Sequence, residues 1–190
     1  MRPRILILDN YDSFTYNLLQ LVEENGGIAV VVKNDQIILD SVADYDKILF
    51  SPGAGIPSDF PIMKQIVEQY RQLKSILGIC LGHQAIAEAY GGRLYNMSEV
   101  LHGKKHQITV KDQTDYLFRG LPETFEVGLY HSWAVDPQHM PETVKITAVS
   151  ANGIIMALSH YTDDVKGIQF HPESYMTGYG YQIIRNWIQY

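Results

Sequence analysis

The chain has 190 residues, 46% hydrophobic and 19% charged, enough to bury one sizeable core. Its net charge of −6 leaves no basic stripe to neutralise phosphates, so general nucleic-acid binding is not expected. A single cysteine excludes an intrachain disulfide and fits a reducing compartment. The first apolar run, Ile5–Leu8, is stopped by Asp9-Asn10, too short for a signal peptide or a membrane span, so the cytoplasm is the expected location.

In chain order, Ile5–Leu8 is a near-continuous apolar strand of the kind found inside parallel sheets. A helix follows the polar turn Asp9–Asp12, with Phe14, Leu18, Leu21 and Val22 spaced along one face and Gly26-Gly27 ending it. Ile28–Val32 and Lys47–Ser51 are the next strands, and residues 61–73 form an amphipathic helix carrying Ile62, Met63, Ile66, Val67 and Tyr70. Ile76–Ile79 is a fourth strand, followed by a helix that Gly91-Gly92 stops. Strands separated by crossovers predict a mostly parallel, doubly wound, flavodoxin-like α/β sheet with helices on both faces.

The second half predicts a smaller antiparallel section. Lys105–Val110 and Phe125–Leu129 read as strands. Lys145–Ser150 and Ile154–Ser159 flank Ala151-Asn152-Gly153, where Asn-Gly signals a hairpin. Val165–Phe170 returns to the sheet, and a helix around Tyr181–Trp187 closes the chain. No internal repeat or long linker is visible, so residues 1–190 read as one domain.

The only cysteine, Cys80, lies in Gly78-Ile79-Cys80-Leu81-Gly82, between strand and helix. Flanking glycines let the chain turn sharply and leave the middle side chain exposed, as in the G-x-S-x-G nucleophile elbow. A thiol at a helix N-terminus sees unpaired N–H groups and the positive dipole end, which favours its thiolate. The run Gly167-Ile168-Gln169-Phe170 is followed by His171-Pro172-Glu173, a base at a strand end with an orienting carboxylate two residues on. Ser51-Pro52-Gly53-Ala54-Gly55 also follows a strand, and no Lys-Ser/Thr follows it to make a P-loop. It fits an oxyanion hole better, with one N–H from Gly53 and one from Leu81. Gln84, one helical turn past Cys80, shares its helix face. Tyr130-His131-Ser132-Trp133 ends a strand and offers backbone and hydroxyl groups. His102 and His106 lack a third ligand, so no metal site is expected. All these loops follow strands and can converge on one sheet edge, where ligands of such sheets bind.

These motifs resemble the class I glutamine amidotransferases. The resemblance implies Cys80 as nucleophile with His171 and Glu173 as triad partners. It also implies an oxyanion site at Gly53 and Leu81, and glutamine contacts from Gly53, Ala54, Gly55, Gln84, Ser132 and Trp133. The N-terminal Asp9-Asn10-Tyr11-Asp12-Ser13-Phe14-Thr15-Tyr16-Asn17-Leu18 resembles component II of the anthranilate and 4-amino-4-deoxychorismate synthases. That implies glutamine as substrate, no cofactor in this chain and, for a partner, the chorismate-binding component of such a synthase. His102-Gly103-Lys104 resembles a loop near that partner. Ala54 stands where proline is usual and Trp133 where leucine is common. Two other readings stay open on the residues alone: a free-standing thiol hydrolase such as a gamma-glutamyl peptidase, and a non-catalytic flavodoxin-like module.

Overall fold

A computed structural model describes residues 2–190. Nine strands form one sheet in the order β2-β1-β3-β4-β9-β8-β7-β5-β6. Its first part is parallel: β1 (Arg4–Asn10), β2 (Ile28–Lys33), β3 (Lys47–Gly53), β4 (Ser75–Ile79) and β9 (Val165–Ile168). The rest is antiparallel: β5 (Leu94–Val110), β6 (Thr124–Val135), β7 (Val144–Ser150) and β8 (Ile155–His160). The doubly wound, flavodoxin-like expectation is met, with the antiparallel section in the second half.

The central strands are apolar throughout because both faces are covered. Along β1, Ile5 and Ile7 face one layer, containing α1 (Thr15–Glu24) and α4 (Gly180–Gln189). Leu6 and Leu8 face the other, with α2 (Ile62–Tyr70) and α3 (Leu81–Ala89). The two-residue strand period assigns alternate side chains to the two cores. Trp187 of α4 is fully buried in the first layer and donates its indole N–H to Ser75 Oγ at 3.0 Å.

Several expected boundaries shift for identifiable reasons. Phe14 precedes α1 and leaves its core face, while Thr15 is buried in its place. The 61–73 helix ends at Tyr70, and Leu73 is exposed. Gln169 and Phe170 lie beyond the β9 ladder, although both are fully buried. The largest departure is β5, expected only at Lys105–Val110. Its first half pairs with β6 in a ribbon with little burial, so no alternation marks it. His102–Lys104 is accordingly part of a strand, not a loop. The register shifts between His102 and Lys104, and Gly103 takes φ +64 at this bulge. The segment Tyr130–Trp133 likewise lies inside β6 rather than ending a short strand.

The β4–α3 junction depends on glycines for space. A Cβ on Gly78 would lie 2.4 Å from the Gly82 backbone, and one on Gly82 would lie 2.6 Å from Phe50 Cβ. Gly78 pairs with Gly167 on β9, where a Cβ would meet His83 at 2.8 Å. These glycines form a flat floor on which the first turn of α3 rests. We expect Gly78→Ala to destabilise the fold by about 3 kcal/mol or more, because backbone atoms would have to move. Gly178→Ala, with open space around the new methyl, should stay within about 0.5 kcal/mol. Urea unfolding of both variants checks the contrast.

Candidate active site

The strand ends bring the predicted residues to one edge. Asn10 is the register partner of Gly53, and the Cys80 N–H donates to Ile168 O at 2.9 Å. Cys80 therefore sits between β3 and β9, at the start of α3. Its backbone has φ 52 and ψ −101, a conformation that L side chains rarely adopt. Such strain costs on the order of 1–3 kcal/mol and persists only where packing over-determines it. The glycine floor supplies that packing. The free N–H groups of the first turn of α3 begin at Leu81.

His171 follows β9, and its Nδ1 lies 2.6 Å from Glu173 Oε1; the Glu173 side chain is fully buried. Thr177 Oγ1 donates to the His171 carbonyl at 2.6 Å, which fixes the loop. The ring is also gripped by aromatics, with Tyr130 at 4.8 Å and Phe14 at 6.2 Å between centroids. Nε2 has no hydrogen-bond partner. Burial opposes a charge on this ring, but the Cys80 sulfur and the Glu173 carboxylate outweigh it and raise its pKa well above the ordinary histidine value. The site thus favours the imidazolium form of His171.

Gly53 lies against both its neighbours. A Cβ there would meet Leu81 Cδ2 at 2.7 Å and Asn10 Cβ at 2.8 Å, so the end of β3 passes directly over the start of α3. Asn10, almost fully buried, holds that end in place. Its N–H donates to Ser51 Oγ and its Nδ2 to Ser51 O, both at 2.9 Å. The sequence puts Asn10 in a polar turn and in the N-terminal motif; its buried amide makes it a positioning group.

A cavity of about 130 Å³ opens beside Cys80, and His171 and Glu173 lie outside its lining. Gly53, Ala54, Gly55, Cys80, Leu81 and Gln84 line one side; Tyr130, His131, Ser132 and Trp133 line the other. Every residue expected to contact substrate lies on this wall. The Trp133 carbonyl accepts from Gln84 Nε2 and from His131 Nδ1, each at 2.8 Å. That contact is through the backbone, so the indole in place of a leucine leaves it intact. A carbonyl can only accept, so His131 carries its proton on Nδ1 and leaves Nε2 bare.

A larger cavity of about 450 Å³ lies beside the opposite ends of β4 and β9, far from these groups. Most of its charged groups are already bonded: Lys166 Nζ bonds Asp115 at 2.8 Å and Ser159 at 2.7 Å, Lys145 Nζ bonds Asp112 at 2.8 Å, and Asp164 accepts from Tyr116 OH at 2.6 Å. Chemistry, not size, selects the smaller cavity. His102 and Lys104 do not line that cavity. Lys104 Nζ pairs with Glu99 at 2.5 Å on the exposed ribbon, and the His102 ring meets Tyr130 edge-on at 5.4 Å. Among the described residues, no group of three His, Cys, Asp or Glu is placed to hold a metal ion.

Two histidines near the site are held neutral by burial: His83 is pushed down to about 3 and His131 to about 4. In the unfolded chain both titrate near 6.5 and bind protons that the fold refuses. Stability therefore falls as pH drops below about 6.5, at about 1.4 kcal/mol per pH unit for each histidine. Both His83 ring nitrogens are unpartnered, so the residue is replaceable as a test. Between pH 7 and pH 5, His83→Asn should lose about 2 kcal/mol less stability than wild type. Unfolding free energies at the two pH values measure it; equal losses would contradict the assignment.

Known proteins resemble this chain over nearly its whole length. The profile of the glutamine amidotransferase class-I family matches residues 6–189. The anthranilate synthase component 2 of Pyropia yezoensis is 44% identical over 189 residues, covering 98% of this chain and 99% of that one. The aminodeoxychorismate/anthranilate synthase component 2 of Bacillus subtilis is 38% identical over 187 residues, covering 97% and 95%. A solved structure from Thermoplasma acidophilum, described as a GMP synthase subunit, superposes with TM-score 0.90 at 26% identity, over 100% of this chain and 94% of that one. With the family profile spanning nearly the whole chain and relatives matched end to end, the chain belongs to the class-I glutamine amidotransferases.

Proposed function

We propose that this chain is the glutaminase component of a chorismate-aminating synthase, making ammonia from glutamine for a partner subunit. The observation that carries the reading is the Cys80 elbow lining one small cavity, with the His171–Glu173 pair beside its sulfur. Relatives matched over their full length, named as second components of anthranilate and aminodeoxychorismate synthases, support the pathway. One relative carries both names, which supports a component that can serve either product.

In this reading the Cys80 thiolate attacks the side-chain carbonyl of glutamine. The Gly53 and Leu81 N–H groups stabilise the oxyanion that forms. The imidazolium of His171 gives its proton to the departing nitrogen, and ammonia leaves a glutamyl thioester on Cys80. Neutral His171 then takes a proton from water, whose oxygen attacks the thioester and releases glutamate. Glu173 holds the ring and stabilises its cation. Gln84 spends its N–H groups on protein acceptors, so among the described residues its Oε1 is left to receive an N–H from the substrate. Ala54 and Gly55 shape the mouth, and Ser132 and Trp133 supply the facing backbone.

Ammonia reacts only while unprotonated, so its transfer needs a docked acceptor. The exposed β5 bulge at His102–Lys104 is our candidate for that contact. Its His102 ring touches Tyr130, which touches His171, so docking there has a short path of rings to the catalytic base. A partner acts through this path only by favouring the competent arrangement. Location in the cytoplasm fits this assignment; no helix among the described residues is long and apolar enough to cross a membrane.

Cys80→Ser should abolish glutamate release and labelling by a glutamine-like electrophile. His171→Ala should leave almost no turnover, whereas Glu173→Gln should keep a measurable fraction, because it orients rather than transfers. Equal losses at His171 and Glu173 would contradict these roles.

For the partner, glutamate release is compared with and without the chorismate-binding component. Turnover should be low for the isolated chain and rise on addition. Lys104→Ala should reduce the rise more than the basal rate. High turnover unchanged by the partner would favour a free-standing thiol hydrolase.

A further inference from the structure

A second glutamine lies next to the nucleophile. Gln169, fully buried just beyond β9, places its side-chain Nε2 3.5 Å from Cys80 Sγ. Which end of that amide faces the sulfur follows from its neighbours. The Trp133 carbonyl only accepts, so the atom of Gln84 that meets it at 2.8 Å is the nitrogen. The same nitrogen lies 3.1 Å from Gln169, so the Gln169 atom there is the oxygen. The remaining end of Gln169, facing Sγ, is therefore an N–H donor. One backbone carbonyl on β6 fixes the polarity of a three-step chain that ends at the nucleophile.

We propose that Gln169 is a further catalytic residue, whose amide N–H donates to the Cys80 sulfur and stabilises it as thiolate. A hydrogen bond to an ionised acceptor is worth roughly twice a neutral one, so this donor favours the state with charge on sulfur. It acts twice in the cycle. It holds the attacking thiolate in the resting enzyme, and it receives the thiolate again when water displaces sulfur from the thioester. Gln169 does not line the cavity, so its effect belongs to the chemical steps rather than to glutamine binding. The ionisable groups around the sulfur are His171 with Glu173 behind it, His131 across the cavity and His83 in the first turn of α3. The last two are neutral at working pH, which leaves His171 as the only cation there.

The inference rests on Cys80 being the nucleophile, and the test separates the two. Because Cys80 is the only cysteine, the pH dependence of iodoacetamide alkylation reports its thiolate directly, whatever the glutaminase activity. Gln169→Glu keeps the acceptor for Gln84 and removes the donor to sulfur. Gln169→Met removes both without adding charge. In each, the alkylation midpoint should rise by about one pH unit or more, with kcat for glutamine falling about tenfold and KM changing less. An unchanged midpoint in Gln169→Met overturns the proposal, even if Gln169→Glu shifts, since that shift would report only the added charge. Should either variant fail to fold, the wild-type side-chain amide signal of Gln169 decides by NMR. One of its protons should move with the same midpoint as the alkylation rate, and the movement should vanish in Cys80→Ser. A signal indifferent to thiol ionisation overturns the assignment. Retained glutaminase activity in Cys80→Ser would instead sink the nucleophile and leave the alkylation result standing.

Discussion

The site depends on how closely α3 approaches the sheet. Gly78 and Gly167 sit side by side on β4 and β9, and Gly82 faces Phe50 on β3, so the first helical turn rests on glycine backbone and on Phe50. Any Cβ at these positions would push the helix away. That seating allows Cys80 to hold its positive φ and directs the sulfur toward the loop after β9. It also brings the Leu81 side chain against the Gly53 backbone. The strain at Cys80 is local, and the close packing around it is what keeps it there.

Around this seat, polar groups are arranged with little slack. The Trp133 carbonyl receives two donors and thereby orients both Gln84 and His131. Asn10 ties the end of β1 to the end of β3. His83 and His131 are kept neutral by burial, while His171 is kept charged by its neighbours, so three histidines within one region divide between two charge states. Burial alone would make all three neutral. The difference at His171 is the Glu173 carboxylate at 2.6 Å together with the sulfur it faces.

Much of this was legible in the sequence where burial is two-sided or the turn chemistry is specific. β1, β3 and β4 are continuous apolar runs, and Asn152-Gly153 marks the β7–β8 hairpin. Cys80 and His171 stand out because each ends such a run. The ribbon at Leu94–Lys104 was not legible, since its side chains are mostly exposed and its pairing with β6 rests on backbone hydrogen bonds. Phe14 keeps the spacing of the α1 face but lies before the helix, where its ring turns toward Tyr130 and His171. Gln169 and Asn10 were the hardest to see. A lone amide beside an apolar run gains meaning only from the partner it meets, 89 residues away for Gln169 and 41 for Asn10. The flanking glycines of Cys80 read in the sequence as a sharp turn; their larger role is to admit a neighbouring backbone.

The central claim is that glutamine hydrolysis proceeds through a glutamyl thioester on Cys80, and partitioning tests it most directly. Hydroxylamine competes with water for such an intermediate, giving glutamyl hydroxamate in place of glutamate. If both products arise from one thioester, their ratio at fixed hydroxylamine is identical whether the donor is glutamine or another γ-glutamyl amide. The account predicts that single ratio, and its loss in Cys80→Ser. A ratio that changes with the donor, or hydrolysis that persists without the cysteine, would contradict it.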